Sequence, residues 1–446
     1  MNVSKFSLFI VFLFPLAVFG QNKTSIISSA DFAFLEDMTK SVLDSSRIRP
    51  GQRLPDPFGK NNTGGTLVRP GGRDTYPSFW IRDYAMTLES DLISREEQKH
   101  MLLLTASTQS DQTWITKGGS MVPFGAIADH IRVDDLRPVY FPGTYDYEAQ
   151  GVEEFGMFPP YCDQFYFIHM AYYYVKNTSD KNILKKKIDG FSLIDRLEIA
   201  FKVPPVRNGK DIVYTTMGFR GVDFGFRDAI RITGDLSYPS ILKYRAAIQL
   251  SELYDKLRNK EKAAGYREIA AAIKEALPKV FLNKQGMLLS STGTSAQPDV
   301  WATALAVYLG ILEGKDRERA CHHLAKAYRN GSLAYKGSIR HVPTTDDFSG
   351  NTAWENAIVP KNTYQNGAYW GTPTGWVSYA ISTVDKALAK QLISEYIAEL
   401  RANDFRKGSG FSAPYECFAP SGYTRGPVYL TTVSCPYIVL KSMAER

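Results

Sequence analysis

The feature that most restricts this chain is a unit recurring five times: a helix apolar nearly all round, a short turn, then a helix with one apolar face. The first unit places Ile81, Ala85, Leu88 and Leu92 at helical spacing, and Ser94-Arg-Glu-Glu97 forms a capping box that opens a second helix to about Ser107. Asp163–Val175 is apolar and aromatic on every side, and a Lys-rich amphipathic helix is predicted from about Lys181 to Phe201. Pro239 opens a helix with Leu242, Ala246, Leu250, Leu253 and Leu257 on one face, and its partner carries Tyr266, Ile269, Ile273, Leu277 and Val280. Val300–Leu312 with Lys315–Tyr328, and Trp376–Val384 with the Leu388–Leu400 stripe, complete the series. A helix faced by polymer on all sides is buried, whereas one with a single apolar stripe faces solvent.

Two helices remain, Asp31–Leu43 and about Leu430–Ser442. Paired across the termini they make a sixth hairpin, which predicts an all-α protein: an (α/α)6 barrel of two concentric rings in one domain spanning residues 21–446. Length alone suggests two or three domains, but no Pro/Gly/Ser-rich linker divides the chain. The alternative is an irregular helical solenoid. Turns within pairs are short, whereas the connections between pairs are long, at about 46–80, 108–162, 202–237, 281–297, 329–373 and 402–429. In a closed ring these emerge on one rim, and long irregular loops are uncommon unless functional.

The first twenty residues read as a secretory leader rather than as fold: Lys5, an apolar run from Phe6 to Phe19, and small residues Val18 and Gly20 before Gln21. A secreted or periplasmic location and no membrane anchor are therefore expected. The formal charge of +7 is modest and spread along the chain, which argues against nucleic acid and permits an anionic substrate. Cys162, Cys321, Cys417 and Cys435 are spaced too widely for a zinc site or a disulfide scaffold, though up to two disulfides remain open. The six histidines are scattered, and adjacent His322 and His323 point apart on an outer helix. No metal or cofactor is expected. Nucleophile-elbow, phosphate-loop, dinucleotide-loop and zinc-protease motifs are missing from the sequence.

What the long loops do carry is aromatics beside carboxylates. They hold Trp80-Ile-Arg82-Asp83, Gly221-Val-Asp223-Phe-Gly-Phe-Arg227-Asp228, Gln297-Pro-Asp299-Val-Trp301, Gln365-Asn-Gly-Ala-Tyr369-Trp370 and Tyr415-Glu416-Cys-Phe418. Glycoside hydrolysis needs one carboxylic acid to protonate the leaving oxygen and a carboxylate to activate water or attack the anomeric carbon. Aromatic faces stack on sugar rings, and Arg, Asp and Gln side chains bond the hydroxyls. Asp83, Asp223, Asp228, Asp299 and Glu416 are the loop carboxylates available for that chemistry. Candidate oligosaccharide- or polysaccharide-binding residues are Trp80, Arg82, Asp83, Arg227, Asp299, Gln365, Tyr369, Trp370 and Tyr415. Asp299 also suits a helix N-cap.

Trp80-Ile-Arg82-Asp83 resembles the W-x-R-D motif of glucoamylases, in which the Arg and Asp grip the sugar of the first subsite. Gly221–Arg227 resembles the G-W-D-F-S-S-R stretch of trehalases and processing α-glucosidases, which implies that Asp223 is the general acid. Tyr415-Glu416-Cys-Phe418, with Pro420 and Gly422 following, is similar to the late motif whose Glu is the catalytic base in those families. The resemblance implies an (α/α)6 glycoside hydrolase that inverts configuration, with carboxyls about 6.5–9.5 Å apart. The chain departs from the trehalase pattern at Phe219, Val222 and Asp228, and Asp228 competes for the acid role. No substrate-defining motif matches, so glucoside specificity does not carry over. Apolar Val222, Phe224 and Phe226 are expected to raise the Asp223 pKa while Arg227 opposes them. Exo action is expected from the 108–162 loop, in which Tyr145, Asp146, Tyr147, Glu148, Glu153 and Glu154 wall off one end of a cleft. Two rivals share the fold: a polysaccharide lyase using Tyr364 or His341 on a uronate, and a non-catalytic sugar-binding barrel.

Overall fold

The computed structural model describes residues 25–73 and 75–445, so the predicted leader at 1–20 lies outside the described residues. Twelve α-helices occur among them. They are α1 (Ser29–Ser46), α2 (Ile81–Thr87), α3 (Arg95–Ser107), α4 (Tyr161–Thr178), α5 (Leu193–Lys202), α6 (Ser237–Lys256), α7 (Lys260–Phe281), α8 (Val300–Tyr308), α9 (Gly314–Arg329), α10 (Thr374–Ser382), α11 (Lys386–Ala402) and α12 (Leu430–Glu445). The even-numbered helices form an inner ring in which each packs on the next and α12 returns to α2. The outer helix α1 packs on α12, so the chain's two ends complete the sixth hairpin. That closure makes the fold an (α/α)6 barrel rather than an open solenoid.

Burial follows the sequence pattern. Every residue of α2 is buried, whereas α9 buries only one stripe, including Ala320, Cys321, Leu324 and Tyr328. Starts are set locally. Ser94 accepts the Glu97 amide while the Glu97 carboxylate accepts the Ser94 amide, and Asn259 and Asp385 cap α7 and α11. All four cysteines are buried free thiols. No helix among the described residues is long and apolar enough to cross a membrane.

Three predicted helices are shorter than their apolar patterns. Between Lys181 and Phe201 the chain makes a 3₁₀ turn at Lys181–Lys185, then a hairpin pairing Lys187–Ile188 with Phe191–Ser192, and only then α5. Asp189 and Gly190 both take positive φ, 46° and 87°, as a two-residue hairpin turn demands, and no helix can pass through them. The first inner helix closes in a 3₁₀ turn ended by Asp91 at φ 64°, and α8 ends before Gly310 at φ 68°.

The long connections gather on the rim at which the inner helices begin. There Ser78–Trp80, which runs into α2, pairs antiparallel with His130–Arg132 from the 108–160 connection. The last connection forms a hairpin, Tyr415–Phe418 against Thr424–Pro427, and Phe418 bridges to Tyr369 in the preceding one. Short strands on an all-α frame thus tie the rim loops to one another.

Candidate active site

A cavity of about 410 Å³ opens on this rim, within the size range of small-molecule sites. Its lining includes Trp80, Arg82 and Asp83 at the start of α2. The pairing of Trp80 with His130 brings Asp129 alongside, and the Trp80 and His130 rings stack with centroids 4.4 Å apart. Arg82 is ringed by three carboxylates: it bonds Asp129, lies 3.4 Å from Asp163 Oδ2, and its Nε lies 3.7 Å from Asp83 Oδ2. Burial raises the Asp83 carboxyl to about 6, against Arg82 and a 2.7 Å hydrogen bond donated by the Tyr429 hydroxyl. Burial likewise holds Asp163 well above the carboxylate range, with Asp129 adding repulsion, whereas Arg82 and His130 together overcome burial and lower Asp129. The guanidinium needs Gly225 beside it, because a Cβ there would stand 1.9 Å from Arg82 Nε.

Glu416 reaches the cavity from the last hairpin, where its neighbour across the turn is Gly426. Gly426 has φ 55°, and a Cβ on it would meet Glu416 Cβ at 2.6 Å, so glycine is required twice over. The Tyr76 hydroxyl donates to Glu416 Oε2 at 2.5 Å, and Arg425 Nε lies 3.3 Å from the same oxygen. Burial still pushes the Glu416 carboxyl up to about 7, with Asp83 and Asp228 reinforcing it and Arg425 and Tyr76 opposing.

Asp228 enters from the third long connection. Its Oδ1 has no hydrogen-bond partner among the described residues, and burial raises its carboxyl to about 6. Gln365 supports this segment from behind: its Oε1 accepts the Ala229 amide at 2.7 Å, and its Nε2 donates to the Gly225 carbonyl at 3.5 Å. The rest of the lining includes Tyr145, Glu154 and Phe155 from the 108–160 connection, with Tyr364, Arg425 and Tyr429.

Of the residues singled out from sequence, Trp80, Arg82, Asp83, Asp228 and Glu416 therefore meet in one cavity. The others lie behind its wall. Asp223 is 2% exposed and bonds Arg227 Nη2 at 2.5 Å; Arg227 also bonds Asp299, which caps α8 by accepting the Ala302 amide at 2.9 Å. Phe224, stacked on Tyr238 at 3.9 Å, and Phe226 pack beside this cluster. Burial does raise Asp223 to about 6 against Arg227, as its flanking residues imply, but the carboxyl is absent from the cavity lining. Gln365 acts as a prop, Trp370 is core against Trp301, the Tyr369 ring packs on Tyr335 while its backbone bridges to Phe418, and Tyr415 packs on Phe418 within the hairpin. Tyr145 and Glu154 of the proposed wall reach the cavity, while Asp146, Tyr147, Glu148 and Glu153 are not in its lining. Of the residues named for a lyase, Tyr364 lines the cavity, but His341 is buried under Trp301, 4.1 Å between rings.

Sequence reasoning missed Asp129, His130, Tyr429 and Arg425. No local pattern marks the first three. Arg425 carried a usable signal, sitting beside a glycine on the return strand of a turn that begins at Glu416.

No protein-family model matches the chain, and no curated protein matches it. Among solved structures the fold is shared with glucoamylase from Saccharomycopsis fibuligera, at TM-score 0.56 and 11% identity over 95% of this chain and 98% of that one. A rhamnosidase from Klebsiella oxytoca with rhamnose bound aligns at TM-score 0.54 and 12% identity over 94% of this chain, which spans 65% of that protein. A GH78-family rhamnosidase of Bacillus sp. GL1 aligns at TM-score 0.54 and 10% identity over 93% of this chain and 35% of its own. At these identities the likeness establishes the (α/α)6 barrel.

Proposed function

We propose that the protein is a glycoside hydrolase in which Asp228 is the general acid and Glu416 the general base. The observation that carries this reading is that two buried carboxyls with raised pKa values, held by different loops, line one cavity walled by Trp80, Tyr76 and Tyr364. Such pairs mark acid–base sites. Burial brings the two carboxyls into a similar range, about 6 and about 7, so the division of roles rests on their partners. Tyr76 and Arg425 both contact Glu416 Oε2 and favour the anion, leaving Oε1 to take a proton from water. Asp228, which lines the same cavity, gives its proton to the glycosidic oxygen as the bond to the anomeric carbon breaks. Water adds its oxygen to that carbon, and Glu416 keeps the proton. This sequence inverts configuration. Tyr145, Glu154 and Phe155 in the lining favour a pocket that takes a chain end, hence exo action. The leader-like N-terminus favours a secreted or periplasmic oligosaccharide-degrading enzyme.

The test is a panel of glycosides and oligosaccharides of both anomers, rhamnosides and glucosides included because proteins of similar fold are named a rhamnosidase and a glucoamylase. Released sugar is followed beside ultraviolet absorbance. Asp228→Asn is expected to keep activity on glycosyl fluorides, whose leaving group needs no proton, while Glu416→Gln loses both kinds of substrate. Absorbance from a new double bond would identify a lyase, and binding without turnover a sugar-binding barrel.

A further inference from the structure

Arg425 stands out among the cavity residues because its side chain is 47% exposed yet touches two of the site's functional groups. Its guanidinium lies over the Tyr364 ring, 4.1 Å from the centroid, and its Nε is 3.3 Å from Glu416 Oε2. The hairpin fixes this arrangement: Cys417 pairs with Arg425, and the missing side chain of Gly426 leaves room for the Glu416 carboxylate to fold toward the return strand.

The other groups acting on Glu416 do not supply positive charge. Asp83 from α2 and Asp228 from the third connection are carboxylates that repel its ionised form. The phenols of Tyr76, Tyr145, Tyr364, Tyr423 and Tyr429 surround it, and Cys417 adjoins it on its own strand. Arg82, in the same cavity, is engaged by Asp129, Asp163 and Asp83.

On the glycosidase reading above, we propose that Arg425 is the positioning residue of the reaction, a stacked cation that orients Glu416 and holds it ionised so that it accepts a proton from water. Arg suits the task better than Lys because a planar guanidinium lies flat on Tyr364 while its edge faces the carboxylate. Acting through Glu416, it governs the limb of the pH profile that follows this carboxyl rather than the affinity for sugar.

The experiment compares wild type, Arg425→Lys and Arg425→Met by the pH dependence of kcat and kcat/KM on whichever glycoside the panel identifies. It adds a ¹³C NMR titration of protein labelled at the glutamate δ-carbon, with Glu416→Gln assigning the signal. In Arg425→Met the Glu416 carbon titration, and with it the limb of the pH profile that follows Glu416, should move to higher pH by about one to three, the effect of losing an opposite charge at close range. KM should change little, and Arg425→Lys should restore much of the shift. An unmoved limb and unmoved titration, with the loss confined to KM, would overturn the proposal and make Arg425 a substrate contact. If wild type turns over no glycoside, the glycosidase reading fails, while the NMR titration still decides whether Arg425 controls Glu416.

Discussion

Arg82 and Arg227 are both buried guanidinium groups ringed by aspartates, at the same rim, and they do different work. Arg227 is sealed in the wall, 0% exposed, bonded to Asp223 and Asp299 and flanked by the rings of Tyr238 and Trp354. Arg82 is 6% exposed, lines the cavity, and serves more carboxylates than one charge can neutralise. Burial and the repulsion of Asp129 and Asp83 favour the protonated form of Asp163, which relieves the surplus negative charge there. A closed cluster of this kind joins loops to helices. An open one, with carboxyls at the edge of titration, can do chemistry. The arrangement of charges looks alike in both; access to the cavity separates them.

Four measurements would break or sharpen this contrast. The largest effect is expected at the open cluster's neighbours. Asp228→Asn and Glu416→Gln should each lower turnover by at least about a hundredfold while still unfolding cooperatively, whereas Asp223→Asn should cost less than about tenfold in kcat/KM. A reversed order would move the site behind the wall. Next, Arg227→Met strands Asp223 and Asp299 together in the interior and should cost about 3–5 kcal/mol of stability in urea unfolding.

Third is a pH effect. A carboxyl whose folded pKa stands above its unfolded value binds its proton more tightly in the native state. Glu416, raised from 4.5 to about 7, therefore stabilises the fold fully below pH 4.5, and that contribution is lost as pH rises through about 7. Its size is on the order of 3 kcal/mol, so stability should fall between pH 5 and 8 with a gentler slope in Glu416→Gln. An equal slope in both proteins would remove Glu416 from the account. The smallest effect is expected for Asp163→Asn: because burial favours the neutral carboxyl, a neutral amide should change stability by less than about 1 kcal/mol, and a loss of several would mean that Asp163 is ionised.

Much of the fold was legible from sequence, for a reason the Lys181–Lys202 stretch makes clear by contrast. Apolar spacing, the Ser94 capping box and Asp385 act over one or two helical turns, so α3, α6, α7 and α11 show in the sequence. Between Lys181 and Phe201 apolar residues also recur at helical spacing, but Asp189-Gly190 turns the chain back on itself, and turn chemistry prevails over periodicity. At the site, Trp80, Arg82, Asp83 and Glu416 were recognisable because each sits in a compact motif. Asp129 and His130 were not, because a strand pairing between segments some fifty residues apart puts them beside Trp80.

By itself, then, the sequence determined the six helical hairpins, the rim that carries the elaborated loops, and the supply of carboxylates and aromatics gathered there. These depend on burial patterns and caps read over short stretches. Only the tertiary structure decided which carboxylate faces the cavity. Asp223 and Asp228 stand five residues apart with similarly raised pKa values, but one is held by Arg227 inside the wall while Gln365, more than a hundred residues away, props the other at the cavity. Distant partners set that choice, and nothing in the local chemistry of Gly221–Asp228 encodes it.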